Sequence, residues 1–244
     1  DLGIAIKKLR KENKYAFNGM ILDMRNNPGG LLNSAVAVSA AFLKEGDLVV
    51  YTEGRAPDSK MNLTAIPENF IRNRPIGQNN YLTSIPEDIK DSPLVVLVNN
   101  GSASAAEIVA GALQDHKRAL VVGTRSFGKG SVQSILPMMN GTAIKLTTAR
   151  YFTPNGTSIQ GKGINPDIIV SNGNEVSEYR EENIPNRLSN PQDNKEKSAP
   201  AIETPEELTS EDKIYKPIVF GSKEDKQFAE ALNILKGIDL YQKN

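Results

Sequence analysis

The chain has no cysteine among its 244 residues. Disulfides, thiol catalysis and thiolate metal sites are therefore excluded, while the compartment is left open. Histidine is nearly absent too, with His116 alone. Net charge is missing: 29 basic residues balance 29 acidic ones, so nothing draws the chain toward nucleic acid or an anionic membrane. No apolar run approaches the length needed to cross a bilayer, and no signal-peptide pattern opens the chain. It starts Asp1-Leu-Gly-Ile, without an initiator methionine, so a fragment or processed form is expected. The length allows one α/β domain with appendages.

What is present centres on Pro93–Gln133. Leu94 to Val98 is a continuous β-branched and leucine run, the pattern of a strand buried on both faces. Asn99-Asn100-Gly101 breaks it, and Ala103 to Gln114 is alanine-rich with apolar residues at helical spacing. Leu120 to Val122 reads as a second buried strand, closed by a glycine-rich turn. Ser104 thus stands where a strand feeds a helix, and Lys129 just past the next strand. Ser104-Ala-Ala-Glu107 fits a helix capping box. The alternative is a nucleophile at a helix N-terminus, where free N–H groups and the dipole favour developing negative charge.

A nucleophilic serine needs a base. His116 is twelve positions on along the same helix, about 18 Å away, so a Ser-His-Asp triad is excluded and His116 reads as a helix C-terminal residue. Lys129 remains, flanked by Gly128 and Gly130, which let the backbone approach another segment. A lysine base must be neutral, its pKa falling from about 10.4 toward 7 or 8, and burial in an apolar pocket supplies the roughly 4 kcal/mol required. The bland alternative is a solvated surface lysine. Ser131 onward reads as a strand, whose period of two places Lys129, Ser131 and Gln133 on one face. Gln133 is then able to accept a hydrogen bond from the amine.

Two patterns mislead here. Gly123 to Lys129 matches the first seven positions of a phosphate-binding loop, but Gly130 stands where Ser or Thr must hold Mg²⁺, and a strand follows in place of a helix. Ser126-Phe-Gly-Lys129 matches the penicillin-binding Ser-x-x-Lys, but that motif belongs on a helix start. Ser210-Glu-Asp-Lys213 matches it equally.

Upstream, Leu2, Ile6 and Leu9 predict a short amphipathic helix. Met20 to Met24 predicts a strand, and Leu31 to Leu43 an alanine-rich helix. Between them, Asn27-Pro28-Gly29-Gly30 is either an ordinary turn or half of an oxyanion hole, with an N–H of Gly29 or Gly30 facing that of Ala105. Arg25 and Asn26 are read as pinning the turn. Asp47 to Thr52 predicts a strand. Residues 53–92 lose periodicity, and forty such residues are expected to carry function or local structure, near a substrate cleft or an oligomer contact. Asn140-Gly141 predicts a hairpin, and Ile168 to Val170 a closing strand. Lys162 is a rival base, in a loop without a serine at a helix start. Residues 171–213 have the composition of a flexible tether. Residues 214–244 then carry a helix capped by Ser222-Lys-Glu-Asp225, running to about Leu235 and ended by Gly237.

Gly101-Ser-Ala-Ser104-Ala-Ala-Glu107-Ile, Phe127-Gly-Lys129-Gly-Ser-Val-Gln133 and Leu22-Asp-Met-Arg25-Asn-Asn-Pro-Gly29-Gly30 together resemble the carboxy-terminal processing (tail-specific) serine proteases. The resemblance covers roughly residues 1–170, and the 25-residue separation of Ser104 and Lys129 also fits. It implies Ser104 as nucleophile, with Ser102 the competing serine, Lys129 as general base and Gln133 as the residue orienting it. It implies a helix-flanked, largely parallel sheet of the crotonase and Clp protease superfamily, with 53–92 as an insertion. It implies protein substrates with exposed C-terminal tails, an extracytoplasmic setting such as the periplasm, an upstream PDZ domain in the full-length protein and no cofactor. A homo-oligomer is a further expectation. The rival readings are a peptide-binding module on the same fold and, less favoured, a crotonase-type acyl-CoA enzyme.

Overall fold

The computed structural model describes residues 1–13, 17–55, 59–71, 80–173, 180–185, 187–193 and 218–242. In chain order its elements are α1 (Leu2–Glu12), β1 (Met20–Asp23), α2 (Leu32–Ala40), β2 (Leu48–Gly54), β3 (Met61–Thr64), β4 (Leu94–Val98), α3 (Ala105–Asp115), β5 (Leu120–Gly123), β6 (Ser131–Pro137), β7 (Ala143–Phe152), β8 (Ile168–Ile169) and α4 (Lys226–Gln242).

The strands form two sheets. One has the order β1-β4-β5-β8 and is parallel throughout. Its centre explains the unbroken apolar run, because β4 is buried along its whole length. Leu94, Val96 and Val98 face the main core, which holds α2 and α3. Val95 and Leu97 face the other way, onto Ala231 and Leu235 of α4. Alternation along one strand thus feeds two helical layers, and neither face tolerates a polar residue. The second sheet, β3-β2-β7-β6, is antiparallel. Both β2–β3 and β6–β7 are sequence neighbours, which close as hairpins at low cost. Asn140-Gly141 makes the expected turn, with Asn140 Oδ1 accepting from Thr142 N–H and Gly141 at φ +80°.

The stretch between β2 and β4 has local structure of its own. Besides β3 it forms single helical turns at Pro67–Asn69, Tyr81–Ser84 and Glu87–Ile89. Phe70 and Ile89 are buried, and the Tyr81 hydroxyl donates to the Ala37 carbonyl on α2. The described parts therefore belong to the core beside α2.

Two expectations about the C-terminal region change. The final helix starts at Lys226, capped by Asp225 Oδ1 accepting from Phe228 N–H at 3.1 Å, and Gly237 lies inside it. An internal glycine costs a helix only about 1 kcal/mol, which the packing of its apolar side on β4 offsets. The tether prediction for 171–213 falls largely outside the described residues, but two described pieces, 180–185 and 187–193, are held on the core. Asn190 is buried and donates to the Gln160 carbonyl at 2.6 Å, and Glu181 N–H donates to the Phe127 carbonyl at 3.1 Å.

Candidate active site

Three loops meet at the C-terminal ends of β1, β4 and β5. The loop after β4 turns sharply into α3 through Ser104, which is held at φ 54° and ψ −114°. A non-glycine residue with positive φ is strained and persists only where its surroundings dictate it. Here they do. Ser102 is fully buried, its hydroxyl donating to the Met24 carbonyl at 2.8 Å and accepting from Asn99 N–H. Its hydroxyl is thus occupied as a tie between loops. Asn99 and Asn26 bond reciprocally, main chain to side chain and amide to amide, both at 2.9 Å. Ala103 N–H donates to the Asn27 carbonyl. The loop after β1 and the loop bearing Ser104 are thus stitched into one unit.

Within that unit the two glycines differ. Gly29 has φ +100°, and a Cβ there would lie 2.7–2.9 Å from Ala103 O, Ser104 Cβ and Ala105 N, so only glycine fits. Its N–H is already donated to Asn27 Oδ1 at 3.0 Å. Gly30 has open space around it. Its N–H has no hydrogen-bond partner among the described residues.

Glu107 joins the third loop to Ser104. Its carboxylate is wholly buried in the first turn of α3. Oε2 accepts from the N–H of Ser104 at 2.8 Å and from the N–H of Lys129 at 2.9 Å. Oε1 accepts from the Ser126 hydroxyl and from Gly128 N–H. One oxygen therefore binds the main chains of both sequence-predicted dyad residues. Burial pushes the Glu107 carboxyl up to about 7, against the four donors that favour its ionised form. The glycines beside Lys129 allow the close approach foreseen from sequence. A Cβ on Gly130 would meet Gln160 N at 2.3 Å, and Gly128, at φ +97°, sits against Gly161 and Gly163.

The main chains of Ser104 and Lys129 are joined through Glu107. Ser104 and Lys129 are both partly buried, and no hydrogen bond links the serine hydroxyl to the lysine amine among the described residues. Gln133 is exposed on β6 and makes no hydrogen bond to Lys129 there. A register shift between Val132 and Gln133 in the pairing with β7 marks an irregular ladder at this point. Lys162 forms an exposed ion pair with Asp193 at 3.5 Å, an unsuitable setting for a neutral base. His116 ends α3 with Nε2 2.7 Å from the Leu48 carbonyl, remote from the catalytic role excluded by its spacing. Glu107 was legible only as a helix cap, since its partners at 126, 128 and 129 are too distant in sequence for any spacing rule.

Residues 1–170 match the model of peptidase family S41. The chain belongs to that family. A carboxy-terminal-processing protease of Bartonella bacilliformis is 47% identical over 171 residues, covering 70% of this chain and 35% of the relative. The chloroplastic carboxyl-terminal-processing peptidase 1 of Arabidopsis thaliana is 37% identical over 168 residues, covering 69% and 30%. Among solved structures, a photosystem II D1 C-terminal processing protease superposes with TM-score 0.53 at 34% identity, covering 68% of this chain and 38% of that one. The chain spans about a third of the length of these curated relatives.

Proposed function

We propose that the chain is a serine endopeptidase with a Ser104–Lys129 dyad, cutting proteins near their C-termini. The observation that carries this reading is the strained Ser104 at a strand-to-helix turn, its N–H sharing Glu107 Oε2 with the N–H of Lys129. Such a turn lifts a serine hydroxyl to the open end of a parallel sheet. The neutral Lys129 amine removes the hydroxyl proton as the Ser104 oxygen bonds to the peptide carbonyl carbon. The oxyanion is received by the N–H groups of Gly30 and Ala105, since that of Gly29 is already engaged. Collapse breaks the C–N bond, and Lys129 returns the proton to the leaving amine. Water, deprotonated by the same amine, then hydrolyses the acyl ester. Gln133 closes on Lys129 when substrate enters and orients the amine.

The lack of a hydrogen bond between hydroxyl and amine among the described residues fits a resting site that tightens on substrate. It is also the observation that favours the rival, a peptide-binding module that keeps the fold without cleavage. Ser104→Ala and Lys129→Ala separate the two. Each is expected to lower hydrolysis of an unfolded protein substrate by about 10³-fold or more, with Gln133→Ala about tenfold. Unchanged hydrolysis in the first two variants, or a wild type that binds tails and cleaves nothing, would remove the peptidase reading. Substrates with exposed C-terminal tails, an upstream PDZ domain and an extracytoplasmic setting belong to the same proposal. Their support is the family and the names of its relatives.

A further inference from the structure

Arg25 lies between β1 and the glycine loop, and its side chain is fully buried. All five of its N–H donors are used. Nε donates to Asp23 Oδ1, and the two terminal nitrogens reach Asp23 Oδ2, both oxygens of Asp225 and Gln227 Oε1, at 2.7–3.1 Å. The Phe220 ring lies 4.1 Å from the guanidinium carbon. Asp225, equally buried, stands 200 residues from Arg25 and caps α4 with the carboxylate that holds the arginine. Gly221 N–H donates to the same carboxylate, while Gln227 ties α4 to Asn172 and to the Val170 carbonyl. Asp225, Phe220 and Gln227 all lie beyond residue 170, where the family match ends.

The strain of the glycine loop starts one residue after Arg25. Asn26 has φ 53° and bonds to Asn99, and Asn27 holds both Gly29 N–H and Ala103 N–H. We infer that Asp225 is a positioning residue for the peptidase reaction: by clamping Arg25 from the N-terminus of α4, it fixes the loop that presents the Gly30 N–H to the substrate carbonyl. The docked C-terminal helix is then part of the working site, although it contributes no atom to the chemistry. Without the Asp225 carboxylate, a buried cation keeps only Asp23 as counter-ion and two donors lose their acceptors. A bidentate arginine pair fixes direction as well as distance, so its loss moves the backbone at residue 25 and with it Asn26 and Asn27. The inference rests on the Ser104–Lys129 reading.

The test compares wild type with Asp225→Asn, which keeps a good helix cap and removes the charge. The expected result is a tenfold or larger fall in kcat with KM within about twofold, and faster amide exchange across residues 24–30. Asp225→Glu should recover part of the kcat. Leu235→Ala loosens α4 through its apolar face without touching Arg25, and should lower the melting temperature while leaving kcat within about twofold. Should Asp225→Asn not fold, Gln227→Met frees one arginine donor, along with the Asn172 amide and the Val170 carbonyl, and is expected to lower kcat severalfold. Wild-type kcat in a folded Asp225→Asn, or equal kcat losses in it and Leu235→Ala, would overturn the inference. A wild type without hydrolytic activity removes the peptidase reading instead, and the exchange of residues 24–30 still decides whether Asp225 holds the loop.

Discussion

Two buried charges flank Ser104, and they are neutralised in different ways. Glu107 is an anion held by four uncharged donors, all within 22 residues of it in the chain. Arg25 is a cation between two carboxylates, one of them 200 residues away. Neutral donors only partly offset burial, so the Glu107 carboxyl rises to about 7 and titrates in the working range of an enzyme. In the other knot burial also opposes charge, but the Arg25 guanidinium and the N–H groups of Gly221 and Phe228 hold the Asp225 carboxyl well below the usual carboxylate range. The hydrogen bonds to Asp23 and Asp225 likewise hold Arg25 above the ordinary arginine value despite its burial. One knot responds to pH near neutrality and the other does not. The responsive one binds the main chains of Ser104 and Lys129, and the fixed one binds Arg25 at the start of the glycine loop.

Breaking the responsive knot should have the largest effect. Glu107→Gln presents an NH₂ group either to the N–H donors of Ser104 and Lys129 or to the Ser126 hydroxyl and the Gly128 N–H, so one side of the clamp must open. We expect kcat to fall about 100-fold, the scale of about 2.7 kcal/mol, in steady-state assays on an unfolded protein. A variant within threefold of wild type would mean that the shared carboxylate does not organise the site.

That residue also shows where sequence reading stopped. The buried strand at Leu94–Val98, the turn at Ser104, the glycine-flanked Lys129 and the hairpin at Asn140-Gly141 each follow from patterns a few residues long. Glu107 was visible as a cap because capping is local, and its bonds to residues 126–129 were not. Arg25 was read as pinning a turn. Its guanidinium is held by a helix whose docking nothing near residue 25 announces. Gln133 is legible only as a position on the exposed part of β6, since a period of two shows which face a residue occupies but not which partner its amide chooses.

Stability against pH sharpens the comparison. The folded value for Glu107, about 7, lies above its ordinary value of 4.5. Its contribution is therefore fully present below pH 4.5 and is lost as pH rises through 7. The loss is on the order of 3 kcal/mol. Chemical denaturation should show wild type falling relative to Glu107→Gln across that window, while Asp225→Asn keeps the wild-type slope. For Asp225 the sign reverses. Its folded value lies below 3.8, so its contribution is present above that pH and is lost only in stronger acid. Parallel curves for wild type and Glu107→Gln would contradict the assignment.

Smaller effects test how the knots are joined and what lies outside them. Asn99→Ala removes the reciprocal bonds to Asn26 and should cost about 1–2 kcal/mol of stability, with kcat several times lower because both loops loosen. Lys162→Ala breaks only an exposed pair with Asp193. It should leave stability within about 0.5 kcal/mol and kcat within twofold, and a large fall in activity would revive Lys162 as the base.

The central claim is that Ser104 becomes acylated because Lys129 takes its proton. Intact-mass and peptide mapping after exposure to a fluorophosphonate measures this directly. A single adduct on Ser104 is expected in wild type, none in Ser104→Ala, and labelling slowed by orders of magnitude in Lys129→Ala. An adduct on another residue, or equal labelling rates in wild type and Lys129→Ala, would contradict it.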